Sequence, residues 1–302
     1  HDESLHSYYS WGLAQGRGYS HNPMMHGTFS FLVTAFGFWL FGDSDYTSRL
    51  PYALFGTALV GLPWFLRPWM GRTGALVTAA LLAFSPTLLY FSRFAHFDIL
   101  MAVWSLGVVI CIWRYLTEPR PLYLFLFSAL LAVAFATKET TYLLVGVLGL
   151  FLFALSLREL GGWLVGRRAL ASLSPPGVLF LLLVTLSLPQ WAAGVSLFQE
   201  GWGIVLANPD WTKGAVGLPQ GTGYGVALGV LSFLLVLSAG LGMLWDPRRW
   251  LFCAFIFYSL WGFFLTTAFT NGAGVFTGSW QSLGYWLAQQ GVQRGGQPWH
   301  YY

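Results

Sequence analysis

Residues 140–157 read TTYLLVGVLGLFLFALSL, a stretch without charged side chains that is long enough to cross the hydrocarbon core of a bilayer as one α-helix. The whole chain has a similar character: 56% of its 302 residues are hydrophobic, 9% are charged, and the mean hydropathy is +0.61. A soluble domain cannot hide so much apolar surface in one core. The sequence therefore predicts an all-α, multi-pass membrane protein.

Other apolar stretches of similar length lie on both sides of this one. They occupy residues 50–66, 74–91, 99–113, 122–137, 177–193, 225–245 and 250–270. Each is near the length that a spanning helix needs when its polar ends can reach the interface. We therefore expect a transmembrane bundle of about eight helices over residues 50–270.

The loops between the predicted spans alternate in charge. Every second loop is rich in arginine, which is typical of cytoplasmic loops. These arginines are Arg67, Arg72, Arg114, Arg120, Arg158, Arg167, Arg168, Arg248 and Arg249. Most carboxylates and all six histidines fall on the opposite side, so groups able to do acid–base or metal chemistry collect on the extracytoplasmic face. Although the pI is near 9.1, the basic residues form no continuous stripe, which argues against a nucleic-acid partner.

Residues 27–41 form one further apolar segment, which is short for a span. Its small or polar residues recur at helical spacing and give it a polar stripe, which suits a helix lying in the membrane interface. We expect that this helix does not cross. The arginine bias does not decide the question, because moving only Arg17 to the cytoplasmic side leaves an equally acceptable distribution.

On this interpretation the chain has three regions. Residues 1–49 form a first extracytoplasmic loop with interfacial helices, residues 50–270 form the bundle, and residues 271–302 begin a later extracytoplasmic loop. The chain starts with His and ends without a polar tail, which predicts a fragment cut at both ends. Cys111 and Cys253 lie in apolar segments without CxxC spacing, so they predict neither a disulfide framework nor a zinc site.

Four short segments concentrate reactive side chains on the predicted outer face. They are Asp2-Glu3, the segment from His21 to His26, the segment from Ser92 to Asp98, and Thr137-Lys138-Glu139. Helix hairpins can bring such distant segments to one rim of the bundle. We expect an active site where they converge.

The order of these segments resembles that of the GT-C membrane glycosyltransferases, most closely the protein mannosyltransferase and aminoarabinose transferase kind of family 39. Within it, the chain is similar to a prokaryotic branch described as flippase-activity-associated. The motifs that carry the resemblance are the early Asp2-Glu3, a Pro-containing segment before an apolar helix, Leu40-Phe41-Gly42-Asp43-Ser44-Asp45, Arg49-Leu50-Pro51, Ser85-Pro86, the stretch from Arg93 to Asp98, Ala136-Thr137-Lys138-Glu139, and Gln297-Pro298-Trp299-His300-Tyr301-Tyr302. Each motif is weak alone, but their order is fairly specific.

The resemblance implies transfer of a sugar from a polyprenyl-phosphate carrier to a protein, lipid or glycan acceptor outside the cell membrane. It implies that Asp2 is the catalytic base and that Asp98 is a second acidic residue beside the site. The chemistry agrees, because an attacking hydroxyl needs a carboxylate to take its proton. Glu3 is an alternative base or a residue that orients a ligand. Asp98 positions the acceptor or a divalent ion, or else only caps a helix.

The leaving phosphate needs cations near the membrane surface. Lys138 and Arg93 are the best candidates; the alternatives are a local Lys138–Glu139 ion pair in a helix hairpin and an arginine that reaches the lipid head groups. The other expected substrate-binding residues are Glu139, His96 and Trp299. An interfacial aromatic belt is the first explanation of Trp299, and stacking on the face of a sugar is the alternative.

His21 and His26 flank Pro23, and together with a carboxylate they offer ligands for a divalent metal ion. Their spacing is not diagnostic of a metal site. Related transferases often carry a charged residue where this chain has Asn22, which weakens the prediction of a metal or of a phosphate contact at this segment.

Two other classes of function remain open. A lipid-sugar flippase or transporter would place ionisable residues or broken helices near the middle of the bilayer, often in repeated halves. The charges here collect at the outer rim, and no internal repeat is evident. A structural membrane protein would leave the clustering of acids and histidines without an explanation.

Overall fold

The computed structural model describes residues 2–167 and 169–291, and within these ranges it contains helices and no β-strand. The prediction of an all-α helical membrane bundle is confirmed. The helices are α1 (Asp2–Ala14), α2 (Phe29–Phe41), α3 (Asp45–Gly61), α4 (Arg67–Phe84), α5 (Pro86–Phe91), α6 (Asp98–Thr117), α7 (Pro121–Phe135), α8 (Thr140–Leu164), α9 (Pro175–Ser187), α10 (Gln199–Trp202), α11 (Gly223–Trp245), α12 (Pro247–Leu265), α13 (Gly274–Phe276) and α14 (Ser282–Ala288).

Four described helical segments are long and apolar enough to cross a membrane. They are α6, α8, α11 and Pro175–Trp202, which contains α9 and its continuation. The other predicted spans are also largely helical, and whether they cross stays a prediction. The stretch 74–91 is not one helix, because Pro86 cannot continue the α4 hydrogen-bond ladder and instead begins α5 after Ser85.

Successive helices run back and forth, so that the start of one meets the end of another. The Lys138 Nζ donates to Asp98 Oδ1 at 2.7 Å, which joins the end of α7 to the start of α6. The Tyr142 hydroxyl donates to the Gln190 carbonyl at 3.1 Å, which adds the start of α8 and the continuation of α9. We call this end of the bundle the site end.

The opposite end of the bundle holds the arginine-rich loops. Arg114, in the last turn of α6, lies over the Trp69 ring of α4 at 5.4 Å. The backbone N–H of Ser174 donates to Glu159 Oε2 at 2.9 Å, which connects the end of α8 to the start of α9. The helix order therefore separates the basic loops from the site end.

The core lies between α6, α7, α8, α9 and α12. Its fully buried side chains include Leu100, Leu131, Leu152, Leu182 and Phe257. In a lipid environment such packing stabilises the bundle through van der Waals contacts, because the lipid tails are as apolar as the side chains. The bundle provides a fixed frame for the loops at the site end.

The first helices lie beside this bundle. α2 has 13 residues, which gives a length of about 20 Å and is shorter than a hydrocarbon core of roughly 30 Å. A tight turn leads from α2 into α3, where Ser44 Oγ accepts from the N–H of Thr47 at 3.1 Å and caps the helix. The length of α2 is compatible with an interfacial helix, and its orientation in the bilayer stays a prediction.

Candidate active site

A cavity of about 170 Å³ opens at the site end, where α1 meets two loops. Asp2, His6, His26 and His96 contribute its ionisable side chains. Leu5, Met24, Met25 and Phe97 form the rest of the wall. Three of the four segments that were expected to converge therefore line one cavity. The fourth segment, residues 137–139, lies directly behind it.

Asp2 lies in the first turn of α1, and its exposed side chain makes no hydrogen bond to any described residue. His6 follows one turn later on the same face and stacks on Phe31, with ring centroids 4.9 Å apart. Burial lowers the pKa of His6 to about 4, so that its imidazole is neutral beside Asp2.

His26 and His96 are each held by a carboxylate. His26 Nδ1 contacts Glu139 Oε2, and His96 Nδ1 lies 2.7 Å from Asp98 Oδ2. In the described ranges the Nε2 atom of each ring has no hydrogen-bond partner. A carboxylate on one ring nitrogen fixes the orientation of the ring and favours a proton on that nitrogen. The other nitrogen is then available to a bound molecule.

A close backbone approach places His26 beside Glu139. The N–H of Gly27 donates to the Thr137 carbonyl at 3.2 Å, and the N–H of Phe29 donates to the Ala136 carbonyl at 3.0 Å. A Cβ atom on Gly27 would lie 2.1 Å from the Ala136 oxygen, so the segment can reach the α7–α8 connection only with glycine at this position.

The buried ring of Phe97 connects the ionisable groups. Its centroid lies 4.3 Å from that of His26 and 3.7 Å from that of His96. Lys138 Nζ lies 4.3 Å from the same centroid while it contacts Asp98. The aromatic wall partly desolvates these charges, which strengthens the interactions between them.

Glu3 has a different environment from its neighbour Asp2. Its carboxylate accepts two hydrogen bonds from Arg49, from Nε at 2.6 Å and from Nη2 at 2.8 Å, and a third from the N–H of Ala95 at 3.0 Å. The hydrogen bond from Arg49 is the main cause that lowers the pKa of Glu3. Glu3 therefore ties α1 to α3 and to the loop before α6.

Of the predicted substrate-binding residues, Arg93 lies away from this cavity. Arg93 is exposed and lines a separate groove of about 310 Å³ among apolar residues of α3, α4 and α5, and this groove shares no lining residue with the Asp2 cavity. Trp299 lies outside the described residues.

The two histidines predicted to bind metal have different partners. His21 is buried and its Nδ1 lies 2.9 Å from Thr277 Oγ1, whereas His26 contacts Glu139. Among residues 2–167 and 169–291, no three His, Cys, Asp or Glu side chains form a group that could hold a metal ion. A divalent ion at His21 and His26 stays a prediction, and no mechanistic step below uses one.

The sequence analysis gave no role to His6 or Arg49. A signal for His6 exists, because it follows Asp2 at the i+4 spacing that places two side chains on one helix face. No comparable signal links Arg49 to Glu3, because the two residues lie on different helices.

Comparison with known protein families gives one match, over residues 25–179, about half of the chain. The matching family is described as dolichyl-phosphate-mannose-protein mannosyltransferase. The matched range contains His26, His96, Asp98, Lys138 and Glu139 and begins after Asp2. No curated protein and no solved structure matches the chain.

Proposed function

The chain belongs to the dolichyl-phosphate-mannose-protein mannosyltransferase family, and from this we propose that it moves a sugar from a polyprenyl-phosphate donor to an acceptor at the extracytoplasmic face, with Asp2 as the general base. Membership makes the protein a membrane glycosyltransferase that uses a lipid-linked sugar. The catalytic residues, the face of the membrane and the chemical nature of the acceptor, whether protein, lipid or glycan, belong to the proposal.

The observation that carries the assignment of the base is the environment of Asp2. Its carboxylate is unbonded within the described chain and lines the cavity that His26 and His96 share. An acceptor hydroxyl bound there attacks the anomeric carbon and gives its proton to Asp2. The bond between that carbon and the phosphate oxygen breaks, and the phosphate keeps the electron pair. One carboxylate is enough for such an inverting displacement.

Glu3 is less suited to this step. Its two oxygens accept three hydrogen bonds from Arg49 and the N–H of Ala95, and its lowered pKa makes it a weaker base. We assign it to positioning α1, and with α1 the carboxylate of Asp2.

The leaving phosphate needs positive charge as the glycosidic bond breaks. Lys138 lies beside the Asp2 cavity: its partner Asp98 holds His96, and its ammonium lies over Phe97. We propose that the ammonium contacts the phosphate while Asp98 keeps it in place. In this proposal His26 and His96 hydrogen-bond the substrates, and Glu139 positions His26. Arg93 lies on a separate groove and could contact only a more distant part of the lipid carrier.

The distribution of charge also supports catalysis at one face rather than transport. In the four helices that are long and apolar enough to cross, Asp98, Arg114, Arg158, Glu159 and Glu200 lie toward the ends. A transport pathway would favour ionisable groups near the middle of the bilayer.

The experiment that tests the base is the substitution Asp2→Asn in the full-length protein. Asparagine keeps the shape of the side chain but cannot accept the proton, so we expect transfer of radiolabelled sugar from a polyprenyl-phosphate donor to fall by about 10²-fold or more. The amount of folded protein in the membrane should not change, because Asp2 makes no hydrogen bond to the described chain.

Glu118→Gln is the matched control. Glu118 follows the far end of α6, about 30 Å along the helix from Asp98, and its only ion pair is with the exposed Arg120 among the described residues. This variant should transfer sugar as the unmodified protein does. If the Asp2→Asn variant transfers sugar at the rate of the unmodified protein, Asp2 is not the base.

A further inference from the structure

A second cavity lies beside the first and is larger, at about 530 Å³. It is formed by the segment 20–24, the loop 215–218 and the helical turns from Thr277 to Tyr285. Met24 lines both cavities and is the wall between them. The volume of this second cavity lies in the range of small-molecule sites, between about 300 and 1,000 Å³.

His21 is the most unusual residue in the second cavity. It is 5% exposed, and its Nδ1 is 2.9 Å from Thr277 Oγ1. Its Nε2 is buried and has no hydrogen-bond partner in the described chain. A buried polar atom without a partner is unfavourable, so a ligand that supplies the missing hydrogen bond recovers free energy.

Two other polar side chains in the cavity have groups without a hydrogen-bond partner among the described residues. Gln281 Nε2 donates to the Val216 carbonyl at 2.8 Å, which leaves the side-chain oxygen Oε1 as an acceptor. Asn22 Oδ1 accepts from the N–H of Met24 at 3.1 Å, which leaves its Nδ2 group as a donor. The cavity therefore offers a donor, an acceptor and an imidazole nitrogen beside the apolar side chains of Met24, Val216 and Leu218.

Among the described residues that line this cavity there is no lysine, arginine, aspartate or glutamate. Burial also lowers the pKa of His21 to about 4, which keeps the imidazole neutral at physiological pH. A phosphate would find no counter-charge among the described lining residues, whereas an uncharged molecule needs none.

We propose that the second cavity binds an uncharged sugar ring, with His21 Nε2 hydrogen-bonded to one of its hydroxyls. A pyranose has hydroxyls that both donate and accept, and it has apolar C–H faces that suit Leu218, Val216 and Met24. This inference rests on the proposed function, because it adds a sugar subsite next to the cavity of Asp2. The ring belongs either to the lipid-linked donor or to a glycan acceptor.

The direct test uses saturation-transfer NMR to measure binding of methyl α-D-mannopyranoside to the full-length protein in detergent. We expect the unmodified protein to bind this probe and His21→Phe, which keeps an aromatic ring but has no nitrogen, to bind it at least tenfold more weakly. No binding by the unmodified protein, or equal binding by the variant, would overturn the proposal.

A matched pair at Thr277 gives a second test if His21→Phe does not fold. Thr277→Val has the same shape but cannot hydrogen-bond His21 Nδ1, so it should weaken probe binding severalfold. Thr277→Ser keeps the hydroxyl and should bind like the unmodified protein. If both variants fold and bind equally well, the imidazole does not bind the sugar and the proposal fails.

Kinetic measurements distinguish a sugar ring of the donor from one of the acceptor. They also test the sugar subsite separately from the assignment of Asp2 as the base. His21→Phe should raise the KM of the donor if the ring is the donor's, or the KM of a glycan acceptor if it is the acceptor's; no change in either KM counts against the subsite. Asp2→Asn should lose transfer but keep probe binding. Transfer that survives Asp2→Asn removes the proposed base and leaves the probe-binding result standing.

Discussion

Asp2 and Glu3 are adjacent on one helix, and their different partners decide their different roles. Glu3 is bound by Arg49 and by the backbone of Ala95, whereas Asp2 faces the cavity unbonded by any described residue. The family resemblance favoured Asp2 and left Glu3 as an alternative base. The physical reason for the difference is the position of Arg49 beside Glu3, which no sequence pattern gives because the two residues lie on different helices.

Glu139→Gln tests whether the carboxylate behind His26 matters. A hydrogen bond to a charged group contributes about 1.5–3 kcal/mol. A loss of about 1.4 kcal/mol corresponds to a tenfold change in a rate or equilibrium constant. We therefore expect kcat/KM for sugar transfer to fall by about tenfold or more, because His26 loses its charged partner while the side chain keeps its size. Glu200→Gln, at an exposed position on α10, should have normal kinetics. If kcat/KM is unchanged in Glu139→Gln, the contact between His26 and Glu139 has no role in sugar transfer.

His6 and His21 should make the protein sensitive to acid. Burial lowers the pKa of each imidazole in the folded protein from 6.5 to about 4. Each group therefore contributes stability above pH 6.5 that is lost as the pH falls toward 4, by up to about 3 kcal/mol per histidine. The thermal unfolding midpoint should fall between pH 6.5 and 4, and it should fall less in His21→Phe. An equal fall in both proteins would contradict this origin.

At the scale of elements, the positions of helices were largely predictable from charge-free stretches. The break at Ser85-Pro86 was missed because both flanking segments are apolar, although the proline marks it. The pairing of His26 with Glu139 could not be predicted at all. It joins residues 113 positions apart through a backbone approach that no local pattern encodes.

Gly27→Ala tests that backbone approach. The added methyl would lie 2.1 Å from the Ala136 oxygen, and a backbone atom cannot move aside easily, so we expect about 1–3 kcal/mol of destabilisation and a loss of sugar transfer as His26 shifts from Glu139. Unfolding in denaturant and the transfer assay measure these two effects.

Gly146→Ala is the control for this substitution. Gly146 lies within α8, and no atom lies within 4 Å of a Cβ built there. Alanine favours helix over glycine by up to about 1 kcal/mol, so the control should be as stable as the unmodified protein or more so, with full activity. If Gly27→Ala behaves like this control, the close approach does not hold the site together.

At the scale of the whole molecule, the alternation of basic and non-basic loops was the most useful feature of the sequence. It predicted that the four reactive segments would lie at one end of the bundle, and the structure brings them together there, while Arg114 and Glu159 lie toward the other end. The sequence could not say whether α2 crosses the membrane, because the bias in basic residues tolerates either position for Arg17.

Labelling of single cysteines with a membrane-impermeant maleimide tests most directly that the site end opens to the outside and that α2 does not cross. Cysteines replace the exposed residues Arg17, Asp45, Arg93 and Glu118 one at a time, in a background where Cys111 and Cys253 are alanine. We predict that the first three positions react in intact cells and that position 118 reacts only after permeabilisation. Protection of position 17 while positions 45 and 93 react would mean that α2 crosses, and Asp2 could not be the base of an extracytoplasmic transferase.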